Sequence, residues 1–218
     1  MEKKKLTLEH NYRAAKNPLE KPPVIILLHG FGSDENDLFS FAGELPNEYA
    51  IISLKAPIRM QPYGNAWYNI YFDDSQGKFS DDEQAIQSRD LVSKCIDEII
   101  EEYQVDKNNI TLLGFSQGTI LSFAVALSYP EKVKNVIGLS GYINSEILVK
   151  GYENNNFSKL RIYTSHGSVD QVIPVQWARK TKPFLEKLNI ECSYSEFPVG
   201  HGVAPQNLQE LKTWLGNQ

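Results

Sequence analysis

The stretch Ile110-Thr111-Leu112-Leu113-Gly114-Phe115-Ser116-Gln117-Gly118 decides how this chain is read. An apolar run enters G-x-S-x-G, and a second, Thr119 to Leu127, follows at once. Strand, sharp turn and helix in that order are what a nucleophile turn requires. The two glycines remove side chains where the turn is crowded. Ser116 is thereby pushed out past the strand end, and the helix beginning at Gln117 aims its first N–H groups at the same spot. The motif alone is weak, because glycine-rich turns carry incidental serines in unrelated chains. The apolar flanks disfavour that reading, and the partners of Ser116 decide it.

Working outward, short continuous apolar runs recur at Val24 to Leu28, Ala50 to Leu54, Val133 to Leu139 and Leu160 to Thr164. Continuous apolarity predicts strands covered on both faces, as in a parallel sheet. The polar alternation from Leu6 to Tyr12 predicts an edge strand. Between the runs lie helical patterns. Val92, Cys95, Ile96, Ile99, Ile100 and Tyr103 form one apolar face over about 81–103, with Ser80 and Glu83 as a capping box. The stretch from Gln117 to Tyr129 is apolar nearly all round and predicts the most buried helix, stopped by Pro130. Leu208, Leu211, Trp214 and Leu215 mark a C-terminal helix. Pro174 suits a helix start, whereas Pro183 predicts a kink or a late start in the helix that follows. The whole is an α/β layered fold, with a mainly parallel central sheet flanked by helices on both faces, in one domain spanning 1–218.

The composition excludes several functions. Net charge is −5, and Lys3-Lys4-Lys5 is the one dense basic cluster. That argues against nucleic acid, whose phosphates demand a basic surface. Charged and polar residues interrupt the first 23 positions, so no signal peptide is expected, and the apolar runs are too short for stable membrane insertion. The two cysteines, Cys95 and Cys192, make no disulfide framework or metal cluster; both read as buried free thiols. A cytoplasmic location, with no metal and no cofactor, is the expectation.

A serine hydroxyl needs a base to take its proton and an acid to orient that base. Of the four histidines, His10, His29, His166 and His201, two follow Ser116. Asp170 is the one aspartate between Ser116 and His201. The chain order Ser, acid, His selects Ser116, Asp170 and His201, each just past a β-type run. His166 precedes Asp170, breaks that order, and reads as a turn residue bonded to backbone. An oxyanion formed at Ser116 needs two N–H donors. Gln117 brings one with the turn; Phe31, in His29-Gly30-Phe31-Gly32 after an earlier strand, is assigned as the second. His29 positions that loop, and Asp34 reads as the cap of a helix from Glu35.

At this point the chain resembles the phospholipase/carboxylesterase family of α/β hydrolases, which includes bacterial carboxylesterases and acyl-protein thioesterases. The matching pieces are Leu28-His29-Gly30-Phe31-Gly32, Ala66-Trp67-Tyr68, Gly114 to Gly118, Leu139-Ser140-Gly141-Tyr142, His166 to Asp170 with Val172-Ile173-Pro174, and Gly200-His201. The resemblance implies a serine hydrolase with Ser116 as nucleophile, His201 as base, Asp170 as orienting acid, and Phe31 and Gln117 as oxyanion donors. Asn69 and Gly202 depart from the family pattern beside its motifs, which puts substrate choice in doubt. Relatives often dimerise, so a homodimer stays open, although no interface is legible.

For the substrate rim, 60–79 is a long aromatic segment that suits a lid or pocket wall. Trp67, Tyr68, Tyr71, Phe72, Tyr142 and Val172 are the candidate substrate-binding residues. No Arg or Lys lies within a few residues of Ser116, Asp170 or His201, which disfavours anionic substrates. The expectation is hydrolysis of a small-molecule ester of short to medium acyl chain. The alternatives are an acyl-protein thioesterase or lysophospholipase acting on a thioester or lipid ester, and a non-catalytic ligand-binding module on the same fold.

Overall fold

Continuous apolar runs become the middle of a seven-stranded sheet. The computed structural model of the chain describes residues 3–16, 20–73 and 77–217. Its sheet strands are β1 (His10–Arg13), β2 (Val24–Leu28), β3 (Ala50–Leu54), β4 (Ile110–Phe115), β5 (Asn135–Leu139), β6 (Arg161–Gly167) and β7 (Glu191–Phe197). They lie in the order β1-β3-β2-β4-β5-β6-β7, every neighbouring pair parallel except β1 against β3. The polar segment near the start is thus the antiparallel edge, and every residue of β2, β3 and β5 is buried.

Alternation along the strands divides the core in two. Ile26, Leu28, Ile52, Leu112 and Val136 pack with α1 (Asp82–Tyr103) and α2 (Gln117–Ser128) on one face. Ile25, Leu27, Ile51, Leu113 and Ile137 pack with Leu38 of a 3₁₀ helix (Leu38–Gly43) and with Leu211 and Leu215 on the other. All twelve residues of α2 are buried, which is why its pattern lacks a polar side. Among the described residues, no helix is long and apolar enough to cross a membrane.

Several local expectations shift. The cap of α1 is Asp81, whose side chain accepts from the Gln84 N–H at 3.0 Å. Ser80 instead ends a β-hairpin, Ile70–Asp73 with Gly77–Ser80. No helix starts at Glu35: Asp34 Oδ1 accepts from the Asn36 N–H at 2.8 Å in a turn, and the 3₁₀ helix begins later. Around Pro183 there are two short helices, α3 (Val175–Ala178) and α4 (Thr181–Lys187). Pro183 lies in the first turn of α4, where a missing N–H leaves no carbonyl unpaired. The C-terminal pattern is α5 (Pro205–Gly216). The 60–79 segment contributes to two small hairpins, Ile58–Arg59 with Asn65–Ala66 and then the pair ending at Ser80. Cys95 is buried, and burial pushes its thiol up to about 12, while Cys192 is only half-buried.

The topology locates the site. β3 lies on one side of β2 and β4 on the other, so consecutive connections leave in opposite directions. A crevice opens beyond the carboxyl ends of the strands at such a switch. Gly30-Phe31 follows β2 and Ser116 follows β4 there, with Asp170 beyond β6 and His201 beyond β7.

Candidate active site

The turn at Ser116 is built by close approach. A Cβ on Gly118 would sit 1.9 Å from the Leu28 carbonyl oxygen, and one on Gly114 would sit 2.4 Å from the Gly118 backbone. Only hydrogen at these two positions lets α2 start against the ends of β2 and β4. Ser116 between them has φ 52° and ψ −115°, a conformation that costs about 1–3 kcal/mol for a residue with a side chain. Its N–H donates to the Leu139 carbonyl at 2.8 Å. The Thr119 hydroxyl lies 2.7 Å from both the Gly114 and Leu139 carbonyls, tying the turn to β5.

The Ser116 hydroxyl lies 2.9 Å from His201 Nε2, and His201 Nδ1 lies 2.7 Å from Asp170 Oδ2. A carboxylate can only accept, so Nδ1 carries the proton and Nε2 is left to accept from Ser116. Asp170 Oδ1 accepts from the N–H groups of Val172 at 2.8 Å and Ile173 at 3.0 Å. Burial opposes the charge on Asp170, but the bonds from His201, Ile173 and Val172 outweigh it and hold the carboxyl below its ordinary value. The loops carrying acid and base are laced together. Ser168 N–H donates to the Phe197 carbonyl at 2.7 Å, and a Cβ on Gly167 would sit 2.1 Å from the Gly200 carbonyl oxygen.

His166 was read as a turn residue bonded to backbone. The backbone bond is present, with Nε2 2.9 Å from the Ile173 carbonyl, but the residue is the penultimate one of β6, fully buried, and Nε2 also lies 3.3 Å from Asp170 Oδ2. Its Nδ1 is buried with no hydrogen-bond partner among the described residues, and a carbonyl can only accept, so Nε2 carries the proton. Two imidazoles therefore face one carboxylate oxygen. The signal was present in the spacing: His166 and Asp170 flank a tight turn, four residues apart.

His29 anchors the other side. Its Nε2 accepts from the Ala56 N–H at 3.0 Å, so Nδ1 donates to the Gly30 carbonyl at 2.8 Å. Burial lowers its pKa and keeps the ring neutral. Gly32 and Ser33 N–H groups donate to the Asn65 and Gly30 carbonyls, whereas the Phe31 N–H has no acceptor among the described residues. The Gln117 side chain accepts from the Trp67 N–H at 2.9 Å and donates to the Tyr68 carbonyl at 2.7 Å, fixing the Trp67-Tyr68 segment.

A cavity of about 480 Å³ opens at Ser116 and His201 and is lined by Phe31, Gln117, Tyr68, Tyr142 and Val172. Trp67 is not on it: the ring is wholly buried, with Nε1 donating to the His29 carbonyl at 2.9 Å, and it holds the loop from behind. Tyr71 is exposed outside the cavity, its hydroxyl 3.3 Å from Asp81. The side chain of Phe72 lies outside the described residues. Ile120, Ile173, Trp177, Asp82 and Asn144 line the cavity unforeseen. Among the described residues no three His, Cys, Asp or Glu side chains gather as a metal would need.

The sheet order and the placement of the site residues at its carboxyl edge define an α/β hydrolase. The phospholipase/carboxylesterase family model matches residues 11–217, and the chain belongs to that family. Acyl-protein thioesterase 1 of Kluyveromyces lactis is 29% identical over 93% of this chain and 95% of that protein. A carboxylesterase-named rice protein is 27% identical over 70% of this chain, and the match spans 58% of the rice protein. The Bacillus cereus carboxylesterase structure superimposes at a TM-score of 0.84 with 20% identity, covering 97% of this chain and 94% of that one. Esterase PE8 also gives 0.84, with 23% identity, 97% and 99% covered. These two likenesses show the fold.

Proposed function

We propose that this chain is a serine esterase that cleaves small carboxylic esters of short to medium acyl chain through an acyl-serine intermediate. The observation that carries this is the unbroken hydrogen-bonded line Ser116–His201–Asp170 opening on the cavity. Ser116 Oγ attacks the ester carbonyl as His201 Nε2 takes its proton. Asp170 stabilises the imidazolium. The N–H groups of Phe31 and Gln117 receive the oxyanion, and losing one such donor lowers kcat by about 10²–10³. His201 then protonates the departing alcohol, and water, deprotonated by His201, releases the acid. His201 moves every proton, so the cycle itself calls for no metal or cofactor. We read 1–218 as one domain working in the cytoplasm, alone or as a homodimer.

Hydrolysis of a p-nitrophenyl ester series from acetate to palmitate tests this, with Ser116→Ala as control. A maximum at short or medium chains, lost in the variant, supports the reading. Folded protein inactive on every member and unlabelled by a fluorophosphonate would leave a ligand-binding module in its place. The Kluyveromyces relative, matched over nearly its full length, favours a second reading as an acyl-protein thioesterase. The same machinery serves thioesters, and a preference for palmitate would select it.

A further inference from the structure

The cavity lining has a second part, the Asp82 end. It comprises Ser80, Asp82 and Asn144 with the rings of Tyr68, Tyr142 and Trp177. Asp82 Oδ1 accepts from Asn144 Nδ2 at 3.1 Å, and its other oxygen has no hydrogen bond to a described residue. No Lys or Arg is among the described lining residues. The arginines on or beside bordering helices are already paired, Arg89 with Asp90 and Arg179 with Glu196. Asp82 and Glu83 sit in the first turn of α1, directly after the capping Asp81. Three carboxylates exceed the roughly half unit of positive charge that a helix N-terminus presents. Burial and then the charge of Asp82 raise the phenol pKa of Tyr142, so its negative field reaches into the cavity.

A long alkyl arm laid there would strip water from Asp82 and give nothing back. A cation would gain twice, from the carboxylate and from the aromatic faces, which attract ammonium groups through the ring quadrupole. Tyr142 and Trp177 stand edge to face with centroids 5.1 Å apart, a fixed wall for such a group. Resting on the esterase reading above, we infer that the preferred substrates are esters carrying an ammonium or quaternary ammonium group on one arm, seated between Asp82 and the rings of Tyr142 and Trp177.

Isosteric pairs test the inference on the wild-type protein. One pair is acetylcholine and the acetate ester in which a tert-butyl group replaces trimethylammonium. The other is p-nitrophenyl 4-(trimethylammonio)butanoate and its tert-butyl counterpart, which places the charge on the acyl arm. The expected result is a kcat/KM about tenfold or more higher for the cationic member of at least one pair. Asp82→Asn brings that ratio close to one, and Asp82→Glu restores part of it. Equal or faster hydrolysis of the neutral members in both pairs overturns the inference while leaving the esterase standing. No turnover of either pair or of p-nitrophenyl acetate removes both readings together.

Discussion

The two ends of the one cavity are built on opposite terms. At the Ser116 end every polar atom of the relay is committed: Ser116 to His201, His201 to Asp170, and Asp170 to two backbone N–H groups and a second imidazole. At the Asp82 end one carboxylate oxygen is without a hydrogen bond among the described residues, and Trp177 is 42% exposed. The first end is arranged before any ligand arrives, as transition-state stabilisation demands. The second is left open, and what it binds supplies the missing partner. Changes at the first end should therefore act on kcat, and changes at the second on the choice among substrates.

The largest way to break that division is Ser116→Ala, expected to lower kcat by about 10⁶ and to abolish fluorophosphonate labelling; comparable rates in both proteins would place the chemistry elsewhere. Asp170→Asn should lower kcat by about 10⁴, because the imidazole loses the acceptor that sets its tautomer. Steady-state kinetics on one p-nitrophenyl ester reads both. Gly118→Ala should destabilise the fold by at least about 1–3 kcal/mol in urea unfolding, since its Cβ lands 1.9 Å from the Leu28 carbonyl oxygen. His166→Leu leaves the Ile173 carbonyl without the ring that faces it, at about 1–3 kcal/mol; kcat should fall less than in Asp170→Asn, and an equal fall would make His166 a full partner of the relay. The smallest effect concerns pH. The Asp170 carboxyl is held below its ordinary value in the fold, so its stabilisation is complete above the unfolded value and is lost as pH falls through the folded one. Thermal unfolding followed from neutral to acid pH should show a shallower acid decline in Asp170→Asn than in the wild type.

The same contrast governs what was legible in the sequence. G-x-S-x-G announces itself because a strand, a crowded turn and a helix occupy nine consecutive residues, and the glycines have a steric reason to be there. Asp170 and His201 were found by chain order and elimination. The sheet was legible because strands buried on both faces read as unbroken apolar runs. The Asp82 end was not, since Ser80 and Asp82, Tyr142 and Asn144, and Trp177 come from three segments. Nothing local marks Asp82, which reads as an ordinary acidic residue in a helix's first turn. Trp67 misled for the converse reason: an aromatic residue in a loop reads as a pocket wall, while its indole N–H was the partner the His29 carbonyl needed. His166 was set aside by chain order, which is a rule about sequence and is blind to a second ring folded onto the same carboxylate.

Position 116 sets two selective demands against each other. Its φ of 52° is one that glycine adopts freely and serine does not, so the resting chain carries strain for the sake of events that occupy it only during turnover. A lineage released from the reaction would gain stability by giving up that side chain, with glycine as the natural replacement. Serine there keeps the folded chain less stable than glycine would, and only turnover makes use of it.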